Sequence, residues 1–198
     1  MTTWIGSDYH LNHLNILKYC SHRVPSSYDG YAPHDWDDVA EMNEMIIEKH
    51  NSVVAPDDEI YLIGDICMGQ IIKAPSLIRR LNGRKYLVKG NHDKSLHKLI
   101  LSDPELSDLF VWIKDYHEMS YTYNGKKHML CMLHFPMKYW NGSGHSSIHF
   151  HGHLHGSPSG IDGKILDVGI DTNGLMPYKM DEAIELVLDK LDSPHHND

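Results

Sequence analysis

Apolar positions along the chain follow two different periods. Over residues 35–53, Val39, Met42, Met45, Ile46, Lys49 and Val53 recur at close to helical spacing. Asp35 stands where it can cap the start, so an amphipathic helix is predicted there. Helices are also expected over 71–81 and 94–101. A last one covers 181–191, with Asp181 as its cap and Ile184, Val187, Leu188 and Leu191 on its apolar face. Short apolar runs bounded by turn residues predict strands over 2–7, 59–66, 84–89, 127–133, 147–151 and 164–168. Strands alternating with helices in the first half imply βαβ units and a mostly parallel sheet. No linker, internal repeat or low-complexity tract interrupts the pattern, and a single domain over 1–198 is expected.

Ligands of parallel sheets sit at the carboxyl ends of the strands, and there the polar residues cluster. The runs end in Asp8-Tyr9-His10, Gly64-Asp65, Gly90-Asn91-His92-Asp93, Leu133-His134-Phe135-Pro136 and Gly152-His153-Leu154-His155. In extended chain, residues i and i+2 project to one side, so Asp8 can converge with His10, and His153 with His155. The glycines before Asp65, Asn91 and His153 suit tight turns or close backbone approach. Mixed Asp, His and Asn donors suit ions such as Mn²⁺, Zn²⁺ or Fe²⁺ rather than Ca²⁺ or Mg²⁺. The donors outnumber the needs of one tetrahedral ion and fit two ions sharing a carboxylate, the arrangement that clamps a displacement at phosphorus.

Composition narrows the setting. The chain has 198 residues, 41% hydrophobic and 23% charged, as in an ordinary soluble protein. No apolar run is long enough to span a bilayer, and the first residues lack the basic start and apolar stretch of a signal peptide. Cys20, Cys67 and Cys131 form no paired motif and read as buried thiols in a reducing compartment, which places the chain in the cytoplasm. The formal net charge of −9 disfavours duplex nucleic acid as a partner. Histidine is abundant, at 17 residues, of which His195 and His196 lie in a polar tail.

Taken together, Asp8-x-His10, Gly64-Asp65, Gly90-Asn91-His92-Asp93, His134 and Gly152-His153-x-His155 resemble the calcineurin-like metallophosphoesterase superfamily, whose five motifs are met in order across residues 8–155. The resemblance implies an α/β fold with a two-sheet β-sandwich core flanked by helices, in four α/β/β/α layers. It implies two divalent metal ions, Mn²⁺ first and Fe, Zn or Ni as alternatives. Asp8, His10 and His155 would hold one ion, Asn91, His134 and His153 the other, and Asp65 would bridge them. A hydroxide between the metals would attack phosphorus. His92 would be the proton donor at the leaving oxygen, oriented by Asp93. Such a site carries about +1 and attracts phosphate despite the acidic chain.

Other residues have two readings each. Asp93 could instead cap the helix that follows it. His149 and His151 share strand parity with His153 and His155 and are assigned to packing or to supporting the ligands. Asn12, His13, His22 and Arg23 follow the first motif and read as surface residues or as substrate contacts, with His13 and Arg23 the candidate contacts. Tyr139, Trp140 and Asn141 read as packing residues or as a stacking wall for a base. Asp35-Trp-Asp37-Asp38-Val39 mimics an aspartyl-phosphatase pattern but opens a helix instead of ending a strand. No Cys-x5-Arg, G-x-S-x-G or P-loop pattern is present. The intact Asn91-His92 pair and the absence of arginine after Gly64-Asp65 favour a small phosphodiester of nucleotide or cyclic-nucleotide type. A phosphomonoesterase or protein phosphatase is the alternative, followed by a nuclease and by a non-catalytic scaffold on the same fold.

Overall fold

A computed structural model describes residues 1–28, 30 and 33–193, and folds them into two sheets and six α-helices. The first sheet has strand order β4-β3-β2-β1-β9: β1 (Thr3–Gly6), β2 (Glu59–Leu62), β3 (Arg84–Val88) and β4 (Phe110–Lys114) run parallel, and β9 (Tyr178–Lys179) is antiparallel to β1. The second sheet has the order β5-β6-β7-β8. Its β5 (His117–Tyr123) and β6 (Lys126–Met132) form an antiparallel hairpin, and β7 (Ile148–His151) and β8 (Ile165–Asp167) continue in parallel from β6. The hairpin turns on Asn124 and Gly125, at φ 48° and 76°. Two successive positive φ values are what a tight hairpin needs, and Asn-Gly supplies them at low cost.

Two apolar cores lie on either side of the first sheet. On one face, Ile60, Leu62 and Leu87 pack with α1 (Ile16–Tyr19), α2 (Trp36–Val53), α3 (Ala74–Ile78), α4 (Lys94–Ser102) and α5 (Pro104–Ser107). On the other, Ile5, Tyr61, Ile63, Tyr86 and Val88 meet Leu130, Met132, Ile148 and Phe150 of the second sheet, so the two sheets share one core. The last helix, α6 (Met180–Leu188), contacts β1, β8 and β9 and adds Met180, Ala183, Ile184 and Val187 to that shared core. The outer face of the second sheet buries Cys131, Trp140 and Ile165 beneath Met137 and Ile161. Those covering residues come from loops, and among the described residues no helix joins that cluster; the two sheets with helices agree with the expected α/β class.

Local chemistry accounts for the element ends. Asp35 caps α2 by accepting from the Asp37 and Asp38 amides, and Asp38 returns a bond to the Asp35 amide, a reciprocal capping box. This use of Asp35 agrees with setting its phosphatase-like pattern aside. The predicted helix over 71–81 divides, because Pro75 starts a new one: Ile71–Lys73 is a 3-10 turn and α3 follows. Asp181 does not cap α6. It sits in the first turn and accepts from the Tyr121 hydroxyl at 2.8 Å, while Leu191 lies beyond the helix and is 86% exposed. Strands β4, β5 and β9 were not anticipated, although β5 alternates half-buried and exposed positions along its length. The three cysteines are free and buried. Among the described residues no helix is long and apolar enough to cross a membrane. His195 and His196 lie outside the described residues.

One buried histidine ties the helical layer to the site. His50, in the last turn of α2, is fully buried. Its Nε2 donates to the Asn82 carbonyl at 3.0 Å and its Nδ1 accepts from the Tyr9 hydroxyl at 2.8 Å. Burial pushes its pKa down to about 4, against the pull of the Asn82 carbonyl. The unfolded chain takes up this proton near its ordinary value of 6.5, and the folded chain only near 4. Stability contributed by the neutral ring is therefore full above pH 6.5 and is lost as pH falls towards 4. Between those limits His50 should add roughly 1.4 kcal/mol per pH unit to the slope of stability against pH. Urea midpoints measured at several pH values should show a flatter slope for His50→Phe, together with lower stability at pH 7. Identical slopes in the two proteins would mean that the ring titrates normally.

Candidate metal centre

The ends of β1, β2, β3, β6 and β7 converge because the strands that carry them run parallel within each sheet. Each motif then bends sharply. Asp8, His10, Asp65, His153 and His155 all adopt positive φ, between 46° and 72°. Non-glycine residues rarely do so unless their surroundings over-determine them, and such strain gathers at functional sites. Backbone bonds stitch the loops together: the Asp8 amide donates to the Gly64 carbonyl at 3.0 Å, His10 to Asp65 at 2.9 Å and Gly152 to His134 at 3.0 Å. Glycine is required at two of these turns by close approach. A Cβ on Gly90 would collide with the Asp65 carboxylate, and one on Gly152 with Ser7 Oγ and the Asp8 carboxylate.

Among the described residues three groups are able to hold metal: Asp8, His10 and His155; Asp65, His134 and His153; and Cys20, His155 and Asp171, which shares His155 with the first. His10 Nε2 stands 3.7 Å from both Asp8 Oδ1 and Asp65 Oδ2, so the first two groups adjoin. His134 Nε2 lies 3.3 Å from Asp65 Oδ2 and 3.1 Å from Asn91 Oδ1, while its Nδ1 donates to the Ile63 carbonyl at 2.8 Å. Burial opposes a charged His134, but the bond and charge of Asp65 raise its pKa, and only in the deprotonated ring is Nε2 a lone pair facing two oxygens. Asp8 Oδ1 and His10 Nε2 are buried without any hydrogen-bond partner. Buried acceptors normally find donors, so a cluster of acceptors facing one another calls for a cation. This donor set fits divalent ions.

Charge follows the same logic. Burial opposes ionisation of Asp65, yet the bond and charge of His134 hold its pKa down to about 2. Asp8 is also lowered, burial being outweighed by His10, His134 and His155. Burial disfavours a charged His155, but the Asp171 carboxylate raises its pKa to about 10. A metal held by these donors would displace the proton from that imidazole.

Asp171 is the residue that the sequence reading missed. It accepts from His155 Nδ1 at 2.7 Å, from Arg23 Nε and Nη2 at 2.6 Å each, and from His22. Arg23 is fully buried, and its Nη1 and Nη2 donate to the carbonyls of Tyr9 and Asp8. Arg23 is therefore no substrate contact. Its forked guanidinium fixes the first-motif backbone to the aspartate that orients His155. Nothing beside Asp171 marked it as a ligand motif; it follows Gly169-Ile170 in a 3-10 turn (Ile170–Thr172), 16 residues after His155.

Two further expectations are revised. Asp93 neither orients His92 nor caps α4 with its side chain: its carboxylate accepts the amides of Asp65, Ile66 and Gly90 at 2.8–3.0 Å, fastening the second motif to the third. Trp140 is buried on the far face of the second sheet, and Asn141 reaches Glu118, so they form no wall at this site. The exposed aromatic beside the donors is Phe135, whose ring centroid is 4.7 Å from that of His153.

The remaining candidates fall into place. His13 Nδ1 is 3.2 Å from His10 Nδ1, and burial with its histidine and arginine neighbours lowers its pKa to about 4. It supports His10 from behind, half-buried, with its ring near that of His92. Asn12 is buried and bonds Asn43 and the Gln70 carbonyl. His92 is exposed at the rim, its ring 5.7 Å from that of His10, and its amide donates to Asp65 Oδ1 at 2.9 Å. His149 and His151 are buried and bond backbone carbonyls on either side of the site loops, as supporting residues do.

No protein-family model matches the chain. It is 28% identical over 194 residues to the uncharacterised protein MJ1445 of Methanocaldococcus jannaschii, covering 93% of this chain and 90% of that one. It is 31% identical over 107 residues to the Gene 66 protein of Mycobacterium phage L5, covering 50% of this chain and 45% of that protein. Among solved structures, a protein of unknown function from Aquifex aeolicus, AQ665, shares the fold, with a TM-score of 0.62 and 21% identity over 94% of this chain and 99% of its own. An archaeal phosphodiesterase matches more loosely, with a TM-score of 0.40 and 17% identity over 85% of this chain and 84% of its own.

Removing the arginine should expose the cost of the brace. Arg23→Met leaves two carbonyls unpaired and the buried Asp171 carboxylate with only His155 and His22, and should destabilise the fold by about 3–5 kcal/mol, with Arg23→Lys in between. Asp171→Asn should weaken Mn²⁺ binding by about 10- to 100-fold, the scale for partners of a ligating histidine. Urea unfolding and calorimetric Mn²⁺ titration measure the two effects. Wild-type values in both would remove Arg23 and Asp171 from any role at the centre.

Proposed function

We propose that this chain is a dinuclear metal-dependent phosphoesterase of the calcineurin-like kind, hydrolysing a small phosphodiester of nucleotide or cyclic-nucleotide type. One observation carries the reading: two adjoining groups of acceptors, with Asp65 between them and two buried atoms lacking any partner. In this reading Asp8, His10 and His155 hold one ion, Asn91, His134 and His153 hold the second, and Asp65 contacts both. When bound, the ions supply positive charge for phosphoryl oxygens and activate water for in-line attack.

The chain's own residues supply aim and protons. Asp171 and the Ile63 carbonyl fix the rings of His155 and His134, and His13 backs His10. His92 reaches over the rim from a backbone anchored on Asp65. In this reading it hands a proton to the leaving oxygen, a role supported by its exposed ring at the rim while the ligand histidines are turned towards the acceptors. Preference for a diester has separate support. Ile66 and Cys67, which follow Asp65, are both buried and present no cation there to a phosphate monoester dianion.

Metal-stripped protein should take up two Mn²⁺ ions and then cleave bis-p-nitrophenyl phosphate faster than p-nitrophenyl phosphate. The reverse order would make it a phosphomonoesterase, and no turnover of either ester with two ions bound would favour a scaffold. His92→Ala should keep both ions and lose turnover by ~10²–10⁴; loss of metal would refute its assigned role. Asp65→Asn should weaken both sites, and two tightly held ions in that variant would defeat the shared-ligand assignment.

A further inference from the structure

We propose that a pocket beside the centre is the subsite for the nucleotide part of the substrate, taking an aromatic base against Phe135 and an additional phosphate between Lys89 and Lys94. This deepens the phosphoesterase reading and rests on it. The cavity measures about 440 Å³ and is lined by Lys89, Gly90, Asn91, Lys94, His97 and Phe135, among others. That is room for a small organic ligand. Asn91 belongs to both the pocket and the donor set, since its Oδ1 faces His134 Nε2. A phosphodiester held at the centre would therefore extend one of its two ester arms into this cavity.

The walls differ in chemistry. Phe135 is 44% exposed, yet its ring is held edge-on by His153 and His134, at centroid distances of 4.7 and 5.3 Å. A ring fixed in this way offers a flat apolar face that has already lost its rotamer freedom, which suits stacking of a base. Lys89 and Lys94 supply two ammonium groups to the pocket and Asp115 one carboxylate, paired with Lys89 at 2.8 Å. Asp93, also at the pocket, is turned to the backbone amides of Asp65, Ile66 and Gly90. The lining thus sets two ammonium groups against two carboxylates and is balanced overall in a chain whose formal charge is −9, with Lys94 the ammonium that no carboxylate engages among the described residues. Aromatic face and paired ammonium groups together match a base with a further phosphate, and neither feature alone would.

Competition against bis-p-nitrophenyl phosphate hydrolysis by the Mn²⁺-loaded protein tests this, with ADP, AMP and pyrophosphate as competitors. ADP should bind tightest. Phe135→Ala should weaken ADP and AMP by about tenfold, the scale of one base–aromatic contact, and change pyrophosphate by less than about twofold. Lys89→Ala/Lys94→Ala should bring ADP to the level of AMP. The proposal is overturned if ADP inhibits Phe135→Ala within about twofold of wild type, or if pyrophosphate competes as well as ADP. If the wild-type protein cleaves no ester, the phosphoesterase reading fails by itself. Calorimetric titration of ADP into metal-free wild type and Phe135→Ala then decides the pocket on the same criterion, and equal or absent binding in both rejects it.

Discussion

The buried pair of Arg23 and Asp171 is the constraint on which the centre depends. Asp8 and His10 can face inward only because their own backbone, like that of nearby Asn12, is held in left-handed conformations that each cost energy. Arg23 meets that cost by tying the carbonyls of Asp8 and Tyr9 to Asp171, which in turn fixes His155. One guanidinium thus couples the end of β1 to the loop after β7. Asp93 performs the matching task between β2 and β3, through amides instead of an arginine. A neutral amide clamp serves there because that carboxylate is surrounded by backbone donors, whereas carbonyls, being acceptors, can be held only by a donor such as arginine.

These clamps leave the ligating atoms with nowhere else to bond. His134 has given its Nδ1 proton to Ile63, His155 its Nδ1 proton to Asp171, and one oxygen of Asp8 accepts from the His153 amide. What remains on each residue, once its proton is displaced, points at its neighbours as an acceptor. The same arrangement explains the depressed pKa of Asp65 and the raised pKa of His155: a proton stands in where positive charge is wanted. An acidic chain can present an anion-binding centre in this way, because the local field is set by what the acceptors hold and not by the distant surface charge.

Much of this was legible in the sequence, and the reason is geometric. A parallel strand delivers whatever follows it to one edge, so Asp8, Asp65, Asn91, His134 and His153 could be grouped from spacing alone. Their glycines announced the bends, and the capping pattern at Asp35 announced α2. The sequence was silent where function depends on a partner distant in the chain. Asp171 lies in a 3-10 turn with no motif around it, and its role exists only because Arg23 is folded beneath it, 148 residues away. Arg23 looked like a phosphate contact because its burial cannot be read from Ser21-His22-Arg23. The β5–β6 hairpin carried a usable signal in Asn124-Gly125 between alternating residues, whereas β9, two residues long, carried none.

His149 shows why the outer face of the second sheet bears on the site. With burial holding its pKa near 4, the ring stays neutral at ordinary pH. Its Nδ1 donates to the Cys131 carbonyl at 3.0 Å, so its Nε2 is left to accept from the Met137 amide at 3.1 Å. One uncharged ring therefore pins the chain on both sides of His134 and Phe135, binding the end of β6 to the turn that follows. A charged imidazolium could not do this, because it would have no lone pair for the Met137 amide. The loop that carries a candidate ligand and the aromatic wall of the adjoining pocket is thus fixed by a bond available only to a neutral, dry histidine.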